Sequence, residues 1–384
     1  MRSSTGRRPG TNGRTTLRTT MRSVIWTRHN KTTISKKQRP SSSRLGRSMA
    51  FFLSFIFIFS WIFTLSGCKK TNEKTLSLFA CDTYITLTCT GKDANKAVKE
   101  ASDLLLKMEA KFSRQKEDSE IAKLNRSSEK EPVTLSEDTY YILQLAKNYA
   151  EETGGRFDPT IAPIMDLWGF GTDNMHVPDE REIETVIANV DYRKVHLLSN
   201  RRAYVEPGVA VDLGGVAKGF IGDILMQKLR NFNLKKILLD LGGNICAWTS
   251  SSELTVGVAS PIKPGALCCT YSVPGNTVCT VITSGSYERY FVEDGVRYGH
   301  IMDTRTGYPS SSDILSVTII GQDGTRGDVY STALFTVGPT DARTIASRQN
   351  LDCILCMDNG TLWVSSSLKG KVNAQDGWTI SYFD

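Results

Sequence analysis

The stretch VDLGGVAKGFIGDILMQKLRNFNLKKILLDLG, residues 211–242, is where the chain changes its periodicity. Apolar residues at helical spacing predict a helix over 216–230, and the apolar run after residue 236 predicts a strand. Upstream, helical spacing recurs over 94–112 and between Ser136 and Gly154. Downstream, short apolar runs separated by Gly, Asn and Asp predict strands linked mainly by hairpins. Helices that precede hairpin-linked strands favour an α+β fold over a doubly wound sheet.

Shorter patterns predict the remaining elements. Residues 76–90 alternate in polarity and predict one strand, Pro178 opens a short helix, and another helix is expected over 327–337. The run LDCILCMD predicts a strand, on which Cys353 and Cys356 point to opposite faces. These two cysteines are therefore interpreted as buried thiols rather than as a redox pair.

The basic residues are concentrated at the N-terminus. Residues 1–47 contain 13 of the 47 Lys and Arg residues and none of the 40 Asp and Glu residues. The rest of the chain carries 34 basic and 40 acidic residues, which removes the electrostatic support for nucleic-acid binding. We interpret residues 1–48 as a basic leader too polar to order itself, or as a start assigned too early, since Met21 and Met49 are possible starts. A basic DNA-binding arm is the alternative.

A charge-free apolar run occupies residues 49–67 and ends at Cys68. The sequence LSGC at its end resembles a bacterial lipobox, in which the cysteine is lipidated and becomes the mature N-terminus. An uncleaved transmembrane helix is the alternative, because ~18 apolar residues suffice to span a bilayer. Both interpretations predict a folded domain over 76–384 on the extracytoplasmic face of a bacterial membrane, with residues 68–75 as a tether.

Two Gly-rich segments are candidates for ligand binding. The chain contains no Walker loop, G-x-G-x-x-G, H-E-x-x-H or G-x-S-x-G motif. Residues 211–223 instead place two glycines between a strand and a helix. Either the free N–H groups at the start of the helix bind a diphosphate, or the glycines only form a tight turn. Residues 157–171 form an irregular segment, in which Trp168 and Phe170 either flank a planar ring or pack into an Ω-loop.

Three further residues carry side chains suited to catalysis. Asp328 and Thr332 are four apart on a predicted helix, so they share a face, and both offer hard oxygen atoms suited to Mg²⁺. The alternative is an acidic residue that faces the dipole of its own helix. His300 follows a strand and precedes a Thr-Gly turn. It is either a catalytic residue or a histidine with a structural role.

Eight motifs, taken in order, closely resemble those of the ApbE family, whose members are FAD:protein FMN transferases and often bacterial lipoproteins. They are FACDT (79–83), FSRQKEDSEIAKLN (112–125), GGRFDPTIAPIMDLWGFG (154–171), VDLGGVAKGFIGD (211–223), LLDLGGN (238–244), ITSGSYERYF (282–291), HIMDTRTGYP (300–309) and GDVYSTALFTVG (327–338). The resemblance extends from about residue 76 to the C-terminus. It implies a T-fold-related, two-lobed domain with largely antiparallel sheets and flanking helices.

The resemblance also implies a reaction and its residues. FMN would pass from FAD to a protein threonine with release of AMP, a phosphoryl transfer that needs Mg²⁺ on the diphosphate and a base for the hydroxyl. His300 is the candidate base. The metal ligands would be the Gly215 carbonyl, Asp328 and Thr332, with Ser331 adjacent. The FAD contacts would be Cys81, Gln115, Arg156, Phe157, Asp158, Asp212, Lys218 and the segment of His300, Ile301 and Met302.

Four positions in three motifs depart from the family pattern. Cys81-Asp82 stand where many relatives have Met-Gly, Gln115 where Tyr or Asn is frequent, and Thr304 where Pro is usual. The position of Gln115 influences the balance between transferase and hydrolase, so a Mg²⁺-dependent FAD pyrophosphatase is the alternative function. A non-catalytic FAD-binding lipoprotein is a third. The implied partners are FAD, a membrane reached through a lipid anchor, and an acceptor flavoprotein with a target threonine, for example a subunit of a membrane redox complex, but no nucleic acid.

Overall fold

The computed structural model describes residues 72–384. The predicted leader, the apolar run and the lipidation site Cys68 therefore lie outside the described residues. Within residues 72–384, no helix is both long and apolar enough to cross a membrane.

Most helices precede the run of strands, as the change in periodicity predicts, but two helices rather than the one expected interrupt the later strands. The strands are β1 (Glu73–Ala80), β2 (Thr83–Gly91), β3 (Val133–Thr134), β4 (Val195–Leu197), β5 (Arg202–Val205), β6 (Leu234–Asp240), β7 (Asn244–Thr249), β8 (Glu253–Ala259), β9 (Leu267–Pro274), β10 (Cys279–Gly285), β11 (Tyr290–Glu293), β12 (Val296–Gly299), β13 (Ile314–Gly321), β14 (Asp352–Met357), β15 (Thr361–Ser365), β16 (Val372–Ala374) and β17 (Thr379–Phe383). The helices are α1 (Ala94–Phe112), α2 (Glu120–Asn125), α3 (Glu137–Glu152), α4 (Ala162–Leu167), α5 (Glu180–Ile187), α6 (Ala217–Leu229), α7 (Gly324–Phe335) and α8 (Pro339–Arg348).

A nine-stranded sheet forms the centre, in the order β1-β2-β6-β7-β10-β13-β14-β15-β17. Every neighbouring pair is antiparallel except β15 and β17, which are parallel. This confirms the predicted α+β class with largely antiparallel sheets. Smaller sheets combine β16-β9-β8, β3-β5-β4 and the hairpin β11-β12.

The two faces of the central sheet bury different layers. Helices α1, α6, α7 and α8 cover one face, and the sheet β16-β9-β8 covers part of the other. On β14, Cys353 packs with the helix layer whereas Cys356 packs with the small sheet. The two thiols are buried on opposite faces, which confirms the expectation from the strand pattern.

The segment predicted as one strand over 76–90 is a hairpin instead, so that prediction was wrong. The chain turns at Cys81 and Asp82, whose φ angles are 50° and 55°. Hairpin turns of two residues favour positive φ, and neither residue is the glycine that usually signals such a turn. The first strand also begins at Glu73, inside the predicted tether.

The long helices match their predicted bounds closely, whereas α7 begins earlier than predicted. Helix α6 spans Ala217–Leu229, within the predicted 216–230. Helix α7 begins at Gly324 rather than near 327, because Asp323 caps it by accepting from the N–H of Arg326. The short helix α4 lies in the segment that was predicted to be irregular.

Candidate active site

The first turns of α6 and α7 are in direct contact above the central sheet. A Cβ on Gly219 would lie 2.1 Å from the carbonyl oxygen of Gly324, so only glycine permits this approach. Asp223 secures the contact, because its carboxylate accepts from the N–H groups of Gly324 (2.7 Å) and Thr325 (2.8 Å) at the start of α7. Burial raises the pKa of Asp223 to about 6.

Asp328 joins the same two helices. It is only 2% exposed, and its Oδ2 accepts a hydrogen bond from the N–H of Gly219 at 2.9 Å. The residue before α6, Val216, offers no side-chain cap, so Asp328 on α7 supplies one. Within residues 72–384 only Oδ2 of this carboxylate is hydrogen-bonded, which leaves Oδ1 for a ligand.

Hydroxyl oxygens gather beside Asp328. Ser284 Oγ on β10 lies 2.8 Å from Ser331 Oγ and 3.3 Å from Thr332 Oγ1. A Cβ on Gly215 would lie 3.5 Å from Thr332 Oγ1, so the turn before α6 borders the same cluster. The three predicted metal ligands and the adjacent Ser331 are thus brought together. Ser284 joins them although its motif had suggested no role for it.

The donor chemistry of this cluster suits a hard cation. All its donors are oxygen atoms, and Asp328 is its one carboxylate. Among residues 72–384 no group of three or more His, Cys, Asp or Glu side chains could hold a metal by itself. Mg²⁺ is typically bound by one or two carboxylates together with substrate phosphates, rather than by an all-protein cage. The residues present therefore fit Mg²⁺ shared with a diphosphate.

Asp212 holds the glycine turn that precedes α6. Its Oδ1 accepts from the N–H of Gly214 at 2.7 Å, and its Oδ2 accepts from Arg114 Nε at 2.6 Å. Arg114 also reaches Asp166 at 2.6 Å, which fixes the turn against the 157–171 segment. Lys218 lies in the first turn of α6, with Nζ 3.4 Å from the Gly214 carbonyl. Asp212 therefore has a structural role in the tight turn, next to a lysine suited to phosphate.

Phe157 packs on the turn of Gly215, and Arg156 precedes it in the chain. The Phe157 ring would be 3.2 Å from a Cβ on Gly215, so the ring packs directly on the glycine turn. The Arg156 Nη1 atom is buried and has no hydrogen-bond partner in the described part of the chain. Buried guanidinium nitrogens are normally paired, so Arg156 has capacity for an anionic ligand.

Three other side chains of the 157–171 segment point into the protein. Asp158 uses its carboxylate to accept from the N–H groups of Thr160 (2.9 Å) and Tyr192 (3.0 Å), and burial raises its pKa. Trp168 and Phe170 are buried in a local core, which supports the packed loop and not a ring-binding pair. Asp158 therefore shapes the loop rather than offering a free carboxylate.

Cys81 and Gln115 lie at the rim of the site. The Cys81 N–H donates to Glu109 at 3.1 Å, and burial raises the pKa of its thiol to about 11, so the thiol is neutral. Gln115 is exposed, with Nε2 3.4 Å from where a Cβ on Gly171 would lie. The turn of Cys81 is tied to the 282–291 segment, since Arg289 donates to the Asp82 carbonyl at 3.0 Å.

His300 carries the tautomer that a base requires. Its Nδ1 lies 3.2 Å from the carbonyl oxygen of Arg289, which can only accept, so Nδ1 carries the proton and the lone pair is on Nε2. Burial first, and then the positive charges of Arg289 and Lys218, lower the pKa of His300 to about 3. The imidazole is therefore neutral at physiological pH.

The two residues after His300 face away from the site. Ile301 packs in the core under α7, and Met302 packs against Trp168 and its neighbours. Their side chains are buried in these cores, so this segment can contact FAD through its main chain and through His300.

Glu288 is a titratable group of the site that was not singled out from the sequence. Its surroundings include Lys218 and Arg289, which lower its pKa, and Asp328 and Asp240, which raise it. Loss of hydration around the carboxylate is the largest of these effects and raises the pKa of Glu288 to about 7, although the side chain as a whole is exposed. Its carboxylate lies beside Gly243, in the turn between β6 and β7, since a Cβ there would be 2.9 Å from Oε1.

This arrangement can be compared with known proteins. The sequence profile of the ApbE family matches residues 81–355. The chain belongs to the ApbE family. It is 34% identical over 268 residues to the FAD:protein FMN transferase of Treponema pallidum, an alignment that covers 64% of this chain and 72% of that protein. It is 32% identical over 264 residues to a FAD:protein FMN transferase of Klebsiella pneumoniae, covering 67% and 81%.

A solved structure supports the same membership. The crystal structure of the ApbE protein from Thermotoga maritima superposes with a TM-score of 0.73 at 30% identity, covering 79% of this chain and all of that one. The membership of the ApbE family that the motifs predicted is confirmed.

Proposed function

We propose that this chain transfers the FMN part of FAD to a threonine hydroxyl of an acceptor protein, with Mg²⁺, and releases AMP. The relatives from Treponema pallidum and Klebsiella pneumoniae are both named FAD:protein FMN transferase. The observation that carries the proposal is the oxygen cluster of Asp328, Thr332 and Ser284 beside the glycine turn. A non-catalytic flavin-binding protein would need neither these ligands nor a histidine with a free Nε2.

The metal would be held by Asp328 Oδ1, the Thr332 hydroxyl and the Gly215 carbonyl, with Ser331 and Ser284 adjacent. When bound, Mg²⁺ would neutralise charge on the diphosphate and, as a Lewis acid, would polarise its phosphoryl oxygens. The protein adds to this neutralisation, because Lys218 lies in the first turn of α6, where the helix start also favours an anion.

His300 would accept the proton of the incoming threonine hydroxyl. The proton would go to Nε2, because Nδ1 already donates to the Arg289 carbonyl. The lowered pKa keeps the imidazole neutral, so the base form is present without a pH change. The proton would then pass on to solvent or to a neighbouring group, which restores the neutral imidazole.

The protein would act at a membrane surface through a lipid on Cys68. Glu73, the first residue of β1, lies five positions after Cys68. Five extended residues span at most about 17 Å, so the folded domain would stay close to the bilayer. A threonine acceptor in the same membrane, such as a redox-complex subunit, would then lie within reach.

The experiment combines purified full-length protein in detergent with FAD, Mg²⁺ and a candidate acceptor, and compares the acceptor with its Thr→Val variant. We expect the acceptor mass to increase by one FMN, only with Mg²⁺ and only when the threonine is present. FMN on the Thr→Val variant would contradict the threonine assignment. Full transfer in excess chelator would contradict the metal assignment.

A further inference from the structure

Asn244 is a buried polar side chain without a partner. It is 1% exposed, and neither its Oδ1 nor its Nδ2 has a hydrogen-bond partner among the residues described. Buried amides are nearly always hydrogen-bonded in proteins, so one with both ends unpaired requires an explanation such as a ligand.

The strand register shows which way the Asn244 side chain points. Asn244 on β7 pairs with Ile282 on β10, so the two side chains share a face of the sheet. Ile282 lies beneath α7, since a Cβ on Gly327 would be 2.8 Å from its Cγ1. Cys246, two residues along on the same face, lies beneath α6, since a Cβ on Gly222 would be 2.6 Å from its Sγ. Asn244 therefore points into the layer formed by α6 and α7.

The same register directs the amide at the candidate metal site. Ser284 follows Ile282 by two residues on that face and contacts Ser331 and Thr332. In α7, Asp328 directly follows Gly327. Its carboxylate accepts a hydrogen bond from the N–H of Gly219, which lies one turn before Gly222 in α6. Asn244 thus lies beneath the link between Asp328 and Gly219, on the side where the oxygen cluster gathers.

We propose that Asn244 is a further binding residue of this site, which takes part in holding the hydrated cation and diphosphate of bound FAD. An amide with both ends free suits a ligand that offers a donor and an acceptor together. Water on a divalent cation donates to the amide oxygen, and a phosphate oxygen accepts from the amide nitrogen. This inference rests on the function proposed above and adds to it a residue that supplies no charge.

The test compares Asn244→Leu, which keeps the side-chain size but removes both polar ends, with Thr280→Val. Thr280 is a matched control, because its Oγ1 is also buried without a partner and its side chain shares the same face. Thr280 lies two residues from Ile282, in the direction away from Ser284. It is therefore about 7 Å further from the oxygen cluster than Ile282 is. Asn244→Ala, which leaves space for water, is the second variant if the leucine disturbs folding.

FAD affinity with Mg²⁺ and with chelator, measured by calorimetry, and the melting temperature without ligand are the readouts. We expect both Asn244 variants to lose about 10- to 100-fold in Mg²⁺-dependent FAD affinity, the range seen when groups that support a metal site are removed. Thr280→Val should bind as wild type does. The melting temperature of Asn244→Leu without ligand should be equal to or above wild type, because removing an unpaired buried amide costs no hydrogen bond.

Two results would overturn the assignment, and they differ. In the first, both Asn244 variants bind FAD with Mg²⁺ as tightly as the wild type does, with or without a lower melting temperature. The amide would then be a structural feature, and the proposed function would be unaffected. Wild-type protein that binds no FAD in Mg²⁺ would overturn the proposed function and this inference together.

Discussion

Replacing Asp328 separates its role as a cap for α6, which the structure shows, from its proposed role as a metal ligand. Asp328→Asn keeps an oxygen that can accept from the Gly219 N–H, which is 2.9 Å away, but removes the negative charge. Asp328→Ala removes both. The pair therefore distinguishes a loss of charge from a loss of structure.

The magnitudes follow from the contacts. Loss of an electrostatic stabiliser of the transition state typically costs ~10²–10³ in rate, or ~2.7–4 kcal/mol. Asp328→Asn should show this loss in AMP release at wild-type thermal stability. Asp328→Ala should show the same loss and also about 1 kcal/mol or more of lost stability, because the start of α6 loses its cap.

The assay is single-turnover release of AMP from FAD at saturating Mg²⁺, with thermal unfolding of the same samples. A rate for Asp328→Asn within a few-fold of wild type would refute the metal role. Wild-type stability of Asp328→Ala would refute the cap, since the start of α6 would then not depend on this side chain.

Three other changes test separate parts of the structure. His300→Asn should keep FAD affinity within a few-fold yet slow transfer by ~10²–10⁴. Since the pKa of His300 is lowered to about 3, the transfer rate of the wild type should show no rise due to this residue across about pH 5.5–9. A rise in rate with pH that is present in the wild type and lost in the variant would contradict this low pKa. Gly219→Ala should cost about 1–3 kcal/mol in thermal unfolding, because its Cβ would clash with the Gly324 carbonyl 2.1 Å away; wild-type stability would mean that α6 and α7 separate easily. Cys68→Ala should leave an unprocessed precursor that incorporates no labelled fatty acid. Normal processing of this variant would contradict the assignment of Cys68 as the lipidation site.

Periodicity predicted the fold where local pattern and tertiary packing agree. Helices α1 and α6 carry continuous apolar faces, so their bounds followed from spacing alone. The β1-β2 hairpin was missed because Cys81 and Asp82 adopt positive φ without being Gly or Asn. The early start of α7 was missed because part of its support comes from Asp223, 101 residues earlier in the chain.

The site was predicted in part for the same reason. Asp328 and Thr332 share a helical face, which their spacing of four residues predicts. Ser284 and Asn244 reach the same site only through the register of β10 with β7 and through the helices above it, which no local pattern encodes. The low pKa of His300 likewise depends on burial and on the charges of Arg289 and Lys218, which no local pattern encodes.

The central claim is that FMN reaches a protein threonine and not water. The most direct measurement determines, in one reaction of full-length protein with FAD, Mg²⁺ and acceptor, the amounts of AMP, free FMN and acceptor-bound FMN. We expect one acceptor-bound FMN for each AMP, with little free FMN. Free FMN equal to AMP, with an acceptor of unchanged mass, would contradict it and would identify the chain as a FAD pyrophosphatase.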